Sequence, residues 1–164
     1  MFRIPVSAGS SIGKEPGTFR ARVEEWNEVI AVAALGDTMV CGVLRAEDYD
    51  RAKKFYTEVL GLTPAQESPG PTREGMFSAG GGTMVSIYER PGMPAPENTT
   101  LAFGVPADKF DALADEVRAR GVVFEDYDIP EIGLKTVNGI VELSGGKAAW
   151  FKDSEGNIIS IMSM

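Results

Sequence analysis

Two hydrophobic periods alternate along this chain, and the change from one period to the other marks its elements. The segment 45–62, RAEDYDRAKKFYTEVLGL, has the 3.6-residue period of a helix with one buried face. Asp48 stands where an N-cap is expected, and Gly61 stands where a left-handed residue ends a helix. The spacing predicts a first helix whose buried face carries Ala52, Phe55, Tyr56, Val59 and Leu60.

A second segment, 105–124 (VPADKFDALADEVRARGVVF), has the same design. Asp108 is expected to be a cap or a first-turn acid, and Gly121 is expected to end the helix. The pattern predicts a second helix with an apolar face made of Phe110, Leu113, Ala114 and Val117.

Short apolar runs with turn residues between them surround both helices and predict strands. MVCGVLRA precedes the first helix, and MFSA, the turn GGG and TMVSIYE follow it. TTLAFGVP precedes the second helix, and VVFEDY, KAAWF, the turn KDSEGN and IISIMSM follow it. The order strand, helix and three strands therefore occurs twice, over residues 38–97 and 98–164. We expect an α+β fold, in which two βαβββ modules form a curved mixed sheet around a concave cavity.

Residues 1–37 are expected to be an N-terminal extension. TFRARVEEWNEVIAVAALG carries a helical apolar stripe of Phe19, Val23, Trp26, Ile30 and Ala33. The apolar face of such a helix would have to be buried by packing on the domain or on a second subunit. VIAVAAL could instead form a strand, and the whole segment could be an optional extension.

Composition narrows the classes of function. The apolar content of 43% supports a packed core, and no apolar run approaches the ~20 residues of a membrane span. The net charge of −8 disfavours nucleic acids and anionic membranes as partners. A single cysteine and no apolar signal segment favour the cytoplasm.

Two motifs give the chain a family resemblance. The helix motif R-A-x-x-F-Y-x-x-V-L-G-L starts at Arg51, and the hairpin motif F-K-D-x-x-G-N-I-I starts at Phe151. With them, residues 38–164 resemble the vicinal oxygen chelate superfamily, which includes glyoxalases, bleomycin-binding proteins, fosfomycin-resistance transferases and extradiol dioxygenases. The resemblance implies the glyoxalase/bleomycin-resistance fold and a homodimer. It does not fix the function, because one fold serves many activities.

The resemblance also implies four positions, one on each of four strands, where metal-dependent members hold a divalent ion with His or Glu. These positions fall on Cys41, Ser86, Thr100 and Ser160. None of the four residues is a strong ligand for such an ion, and the chain contains no histidine. We therefore expect a lost metal site and no cofactor.

Strand alternation places Cys41, Ser86 and Thr100 on the concave face, with neighbours suited to a ligand, and the resemblance places Ser160 there too. Arg45 would need an acidic partner there, from the protein (Glu142 is one candidate) or from a ligand, unless it reaches solvent at the end of its strand. The expected set of ligand-binding residues is Cys41, Arg45, Met84, Ser86, Tyr88, Thr100, Trp150 and Ser160.

The segment 127–146 is long for a connection in a small domain. It could lie over the cavity, with Tyr127, Ile132, Leu134 and Trp150 closing it. TVNGIVEL within it could also form an ordinary hairpin with its turn at Asn138 and Gly139. The two interpretations are compatible with each other.

Three hypotheses of function follow. The first is a metal-independent, glyoxalase-like protein that binds a small molecule, such as an antibiotic, in the concave cavity. The second is an enzyme of the same superfamily, a lyase, isomerase, transferase or dioxygenase-like protein acting on a small metabolite. The third is a structural role with an unused cavity. Cys41 is expected to be a buried small residue rather than a nucleophile, because no histidine is present to lower the pKa of its thiol.

Overall fold

The computed structural model describes residues 38–68 and 70–164, and residues 40–164 form one compact unit. The expectations for the N-terminal extension lie outside the described residues. The bounds 1–37, 38–97 and 98–164 stay predictions. Among the described residues, no helix has the length and apolarity that crossing a membrane requires.

The first module has one helix and a four-stranded sheet with the strand order β1-β4-β3-β2. β1 is parallel to β4, and the other neighbours are antiparallel. The helix α1 continues without a break into a π-helical turn, Phe55–Val59. The elements are β1 (Cys41–Ala46), α1 (Tyr49–Lys54), β2 (Thr63–Ser68), β3 (Glu74–Ser78) and β4 (Met84–Glu89).

The second module repeats this arrangement with the strand order β5-β10-β9-β8. β5 is parallel to β10, and a short 3-10 turn leads into the helix α2. A two-stranded hairpin of β6 and β7 lies in the connection before β8. The elements are β5 (Thr99–Val105), α2 (Phe110–Ala119), β6 (Asp128–Ile129), β7 (Leu134–Lys135), β8 (Ile140–Leu143), β9 (Gly146–Lys152) and β10 (Ile158–Ser163).

Both helices occur where the hydrophobic pattern predicts them. The Asp48 side chain caps α1 by accepting a hydrogen bond of 3.0 Å from the Arg51 main-chain N–H. Gly61 and Gly121 follow the helices with φ angles of 76° and 95°, which residues with a Cβ rarely adopt. Asp108 lies in the 3-10 turn before α2 and does not cap it, because the N-cap residue is Lys109.

The helices and the sheets share one hydrophobic core, which defines the two faces of each sheet. Leu44 and Ala46 of β1, and Ile159 and Ile161 of β10, belong to this core. Because side chains alternate along a strand, the residues between them face away from the helices. This opposite face is the predicted concave face.

Two strand predictions need correction. Residues 122–127 do not form a strand, and only a single bridge joins Phe124 to Phe151. The corresponding place in the second sheet is taken by β8, which comes from the segment predicted as a loop or a hairpin. Conversely, every residue of β2 (Thr63–Ser68) is exposed, and the strand has no apolar periodicity that would have predicted it.

The segment 127–146 has two parts, and the predicted Asn-Gly turn occurs in the second. Its first part forms the β6–β7 hairpin. Its second part turns at Asn138 and Gly139, which have φ angles of 52° and 74°. Val137 and Ile140 exchange main-chain hydrogen bonds of 2.7 and 3.2 Å across this turn. The positive φ angles at both central residues explain why Asn-Gly occurs there.

Candidate functional site

The concave face of the first module carries five of the eight expected ligand-binding residues. The parallel register pairs Cys41 with Met84 and Arg45 with Tyr88. Ser86 lies between Met84 and Tyr88 on the same face of β4, because its strand neighbours Val85 and Ile87 belong to the core. Cys41, Arg45, Met84, Ser86 and Tyr88 thus share one face of two adjacent strands.

Cys41 and Ser86 lie beside a carboxylate that the sequence pattern did not point to. The Ser86 hydroxyl donates a hydrogen bond of 2.9 Å to Glu74 Oε1 of the neighbouring strand β3. Burial raises the pKa of the Cys41 thiol, and the negative charge of Glu74 raises it further. A main-chain hydrogen bond from Ser86 lowers this pKa, but it does not outweigh the other two effects. The Cys41 thiol donates to the Gly42 carbonyl at 3.4 Å. This environment favours a neutral thiol and not a nucleophilic thiolate.

The other three expected residues lie on the second module. Ser160 is paired with Trp150 across β10 and β9, and its side chain is fully buried. Its hydroxyl oxygen has no hydrogen-bond partner within the described part of the chain. Thr100 lies at an irregularity between β5 and β10, and its hydroxyl donates a hydrogen bond of 3.0 Å to the Ile158 carbonyl.

A cavity of about 250 Å³ lies next to Trp150. The Tyr127 and Trp150 rings meet edge to face, with their centroids 5.7 Å apart. Ile132, which precedes β7, and Leu134 of β7 also line the cavity. The described residues that line the cavity are Glu97, Asn98, Thr99, Tyr127, Ile129, Ile132, Leu134, Trp150 and Ile158. Tyr127, Ile132, Leu134 and Trp150 thus share this cavity, and Trp150 is the one expected ligand-binding residue among its described walls.

The Arg45 side chain is largely buried and incompletely paired. Its side chain is 9% exposed, and its Nη2 donates a hydrogen bond of 2.6 Å to the main-chain carbonyl of Glu155. Its Nη1 lies 3.7 Å from Glu47 Oε2, which also accepts the Gly92 main-chain N–H at 2.9 Å. Neither Nε nor Nη1 has a hydrogen-bond acceptor in residues 38–68 or 70–164. Glu142, named as a candidate partner, is exposed on β8 beside Lys147 instead.

The turn between β9 and β10, residues 153–157, joins the two modules beside Arg45. The Asp153 carboxylate accepts a hydrogen bond of 2.7 Å from the Tyr56 hydroxyl of the first module. The Asn157 side-chain amide donates to the Arg45 carbonyl at 2.9 Å. We call this set of hydrogen bonds, together with those of Glu155, the inter-module contact. It holds the strand end that carries Arg45 against the second module.

Glu155 is the central group of the inter-module contact, and its side chain is completely buried. It accepts the main-chain N–H groups of Glu47 and Asp48 at 2.9 and 3.0 Å, just before α1 begins. Burial opposes its ionisation, but hydrogen bonds from Arg51, Asp48 and Ser154 outweigh this and lower the pKa of the carboxyl. The motif D-x-x-G-N was recognised from the sequence, but this role of its variable Glu155 was not.

Comparison with known proteins agrees with this architecture. The sequence model described as "Glyoxalase/Bleomycin resistance protein/Dioxygenase superfamily" matches residues 36–161. The chain belongs to this superfamily. A search of curated proteins finds no match to the chain. The resemblance to the vicinal oxygen chelate superfamily and the predicted fold class are therefore both confirmed.

Solved structures share the fold at low sequence identity. A glyoxalase family protein from Enterococcus faecalis is 19% identical, with a TM-score of 0.59 over 79% of this chain and 99% of its own. An integron cassette protein from the mobile metagenome of Halifax Harbour Sewage Outfall is 17% identical, with a TM-score of 0.59 over 78% and 99% of the two chains. The fosfomycin resistance protein FosX from Listeria monocytogenes, solved with Mn(II) and a sulfate ion, is 14% identical, with a TM-score of 0.57 over 78% and 93%. At these identities the likeness shows the fold alone.

The residues at the four family positions do not fit a divalent metal ion. Hydroxyls and one thiol occupy these positions, and the Ser86 and Thr100 hydroxyls already donate to protein oxygens. Glu74 is the only carboxylate found bonded to one of them in the described chain. Within the described ranges, no three His, Cys, Asp or Glu side chains lie close enough together to hold a metal ion. Hard divalent ions need several such donors at one point.

Proposed function

We propose that this member of the glyoxalase superfamily binds a small anionic molecule on its concave face without a divalent metal ion. The ligand would contact Arg45, and the expected residues Cys41, Met84, Ser86, Tyr88, Thr100, Trp150 and Ser160 would form its surroundings. The observation that carries the proposal is the buried guanidinium of Arg45, two of whose nitrogen atoms have no acceptor in the described chain.

The energetics of burial support an anionic ligand. Each buried polar group without a hydrogen-bond partner costs ~2–7 kcal/mol by transfer estimates, and Nε and Nη1 of Arg45 are two such groups. Glu47 offsets part of this at 3.7 Å, but its carboxylate is bonded to the Gly92 N–H and is half exposed. A carboxylate or phosphate of a ligand would supply the missing acceptors in the planar geometry that guanidinium prefers.

The chemistry of the four family positions supports metal independence. Relatives that depend on a metal would need His or Glu there, whereas this chain offers Cys41, Ser86, Thr100 and Ser160. Polar hydroxyls among apolar and aromatic side chains are typical of a site that orients an organic ligand. By resemblance to the family we also propose a homodimer, and from the single cysteine and the absence of an apolar signal segment we propose a cytoplasmic location.

The test is a thermal-shift screen of matched pairs of small carboxylic acids and their amides, run with EDTA present. A ligand that binds only the folded protein raises Tm. We expect acids to raise Tm, their amides to fail, and Arg45→Gln to remove the effect. Lys54→Gln, which removes an exposed cation of α1, is the matched control and should behave as the parent protein.

Two results would overturn this proposal. One is a Tm increase that requires added Mn²⁺, Ni²⁺ or Zn²⁺ and disappears with EDTA. The other is binding of acids by Arg45→Gln as tightly as by the parent protein.

A further inference from the structure

A second cavity, of about 390 Å³, lies on the helix side of the sheets. Val105, Phe151 and Ile161 line it, and these residues belong to the hydrophobic core and not to the concave face. Its walls come from both modules: Leu60–Thr63 after α1, Ser78–Gly80 at the end of β3, and Leu113 and Val117 of α2. The cavity is therefore separate from the concave site considered above.

The reason for this cavity lies in a difference between two equivalent turns. Residues 79–83 join β3 to β4, and residues 153–157 join β9 to β10 at the same place in the second module. The two turns have the same main-chain pattern. Ala79 N–H donates to the Thr83 carbonyl at 2.9 Å, and Asp153 N–H donates to the Asn157 carbonyl at 3.0 Å. Gly82 and Gly156 have φ angles of 76° and 82° at matching positions.

The side chains of the two turns differ completely. In the second module, Asp153 and Glu155 fill the space between the turn and α1, where Asp153 meets the Tyr56 hydroxyl. In the first module, the matching residues are Ala79 and Gly81. The turn 79–83 consequently has no side chain long enough to reach α2, and the space beside Leu113 and Val117 stays open.

The chemistry of the walls specifies a class of ligand. None of the described residues lining the cavity carries a charge, and most are aliphatic or aromatic. The hydroxyls of Thr63 and Ser78 and the main chain at three glycines supply its polar groups. Arg120 lies near Gly61, but it is ion-paired with Glu116 and donates to the Val59 carbonyl. A charged ligand would find no counter-charge among these walls.

We propose that this cavity is a second binding site, for an uncharged and largely apolar small molecule. Its volume falls in the range of small-molecule sites, ~300–1,000 Å³. An aromatic or branched apolar body would displace water from walls such as Phe103, Leu113 and Phe151. A polypeptide segment fits less well, because its main-chain N–H and C=O groups need more partners than these walls offer.

The test uses two fluorescent probes that share one ring system. N-phenyl-1-naphthylamine is uncharged, and 8-anilino-1-naphthalenesulfonate carries an added sulfonate. We expect the neutral probe to bind with a stoichiometry of about one per chain and the sulfonate to bind at least about tenfold more weakly, because its charge would be buried unpaired. The full-length protein is titrated at several concentrations.

Two variants locate the bound probe. Leu113→Trp should fill the cavity and weaken binding of the neutral probe at least about tenfold, because the indole would take the space that the rings of the probe need. Ala112→Trp adds the same indole at an exposed position of α2 and should leave binding unchanged. If circular dichroism shows that Leu113→Trp does not fold, Ala79→Phe at the opposite wall is titrated in its place.

Several outcomes would overturn the proposal. Equal affinity of the two probes would show that the site does not select against charge. Unchanged binding in the cavity-filling variant would place the probe outside this cavity. A loss of binding in Arg45→Gln alone would place the probe on the concave face. No binding, or binding that falls as protein concentration rises, would mean that another part of the chain or a second copy covers the cavity.

Discussion

Glu155 and Arg51 are joined by two hydrogen bonds, of 2.8 and 2.9 Å, although 104 residues separate them in the chain. The carboxylate belongs to a turn of the second module, and the guanidinium belongs to α1 of the first. The same carboxylate receives the main-chain N–H groups that precede α1. One side chain thus stabilises the start of a helix and the contact between the modules.

Replacing Glu155 should therefore destabilise the whole unit. We expect Glu155→Gln to lower the free energy of unfolding by about 2–4 kcal/mol, because charge-assisted hydrogen bonds from Arg51 and from two main-chain N–H groups are weakened in a buried place. Urea denaturation at neutral pH measures the change.

The matched control is Glu116→Gln, which removes an exposed partner of Arg120. Exposed ion pairs contribute little, so this variant should lose less than about 1 kcal/mol. Equal losses in the two variants would contradict the role assigned to Glu155.

The same carboxylate should make stability depend on pH in a defined direction. The pKa of Glu155 is lowered below its ordinary value of 4.5, because hydrogen bonds from Arg51, Asp48 and Ser154 outweigh the effect of burial. The contribution of the ionised Glu155 carboxylate to the free energy of unfolding is complete above about pH 4.5. It is lost as the pH falls through the lower pKa of the folded state. The difference in unfolding free energy between the parent protein and Glu155→Gln should therefore shrink below pH 4.5. A difference that grows on acidification would reverse the sign and refute the assignment.

Two buried tyrosines allow a paired test of the inter-module contact. Burial, and then the neighbouring charge of Asp153, raises the pKa of Tyr56 well above 10, and its hydroxyl donates to that carboxylate. Burial raises the pKa of Tyr49 to about 12, but the Tyr49 hydroxyl has no hydrogen-bond partner among the described residues. Tyr56→Phe should cost about 1–2 kcal/mol, whereas Tyr49→Phe should be neutral or stabilising. Chemical denaturation compares the two, and a larger loss in Tyr49→Phe would argue against the paired role of Tyr56.

Features that depend on neighbouring residues could be predicted from the sequence. Asp48 as a cap, Gly61 and Gly121 as helix ends, and the turn at Asn138 each follow from the conformation that one residue type allows. The alternation that puts Cys41 and Ser86 opposite the core also held, because the period of a strand is fixed by its geometry.

Features that depend on distant residues could not be predicted in the same way. Arg45 meets the carbonyl of Glu155 and not Glu142, since the turn that brings Glu155 close is positioned by the packing of one module on the other. Residues 122–127 have an apolar pattern but pack as a connection, and β8 takes the expected strand position. The cavity beside Ala79 depends on how the turn 79–83 packs against the distant helix α2. The residues of that turn alone do not predict it.

The thiol of Cys41 should react slowly because of its partial burial and the neighbouring negative charge of Glu74. Only the thiolate is nucleophilic, and both effects raise the pKa of this thiol. We expect alkylation by iodoacetamide at about pH 8 to be slower than that of free cysteine, and Glu74→Gln to accelerate it about twofold to fivefold by removing a negative charge. Glu142→Gln, an exposed carboxylate of the second module, should leave the rate unchanged. Mass spectrometry of the single cysteine follows the reaction without interference from other thiols. A rate equal to that of free cysteine, or one that Glu74→Gln lowers, would contradict the effect assigned to burial and to Glu74.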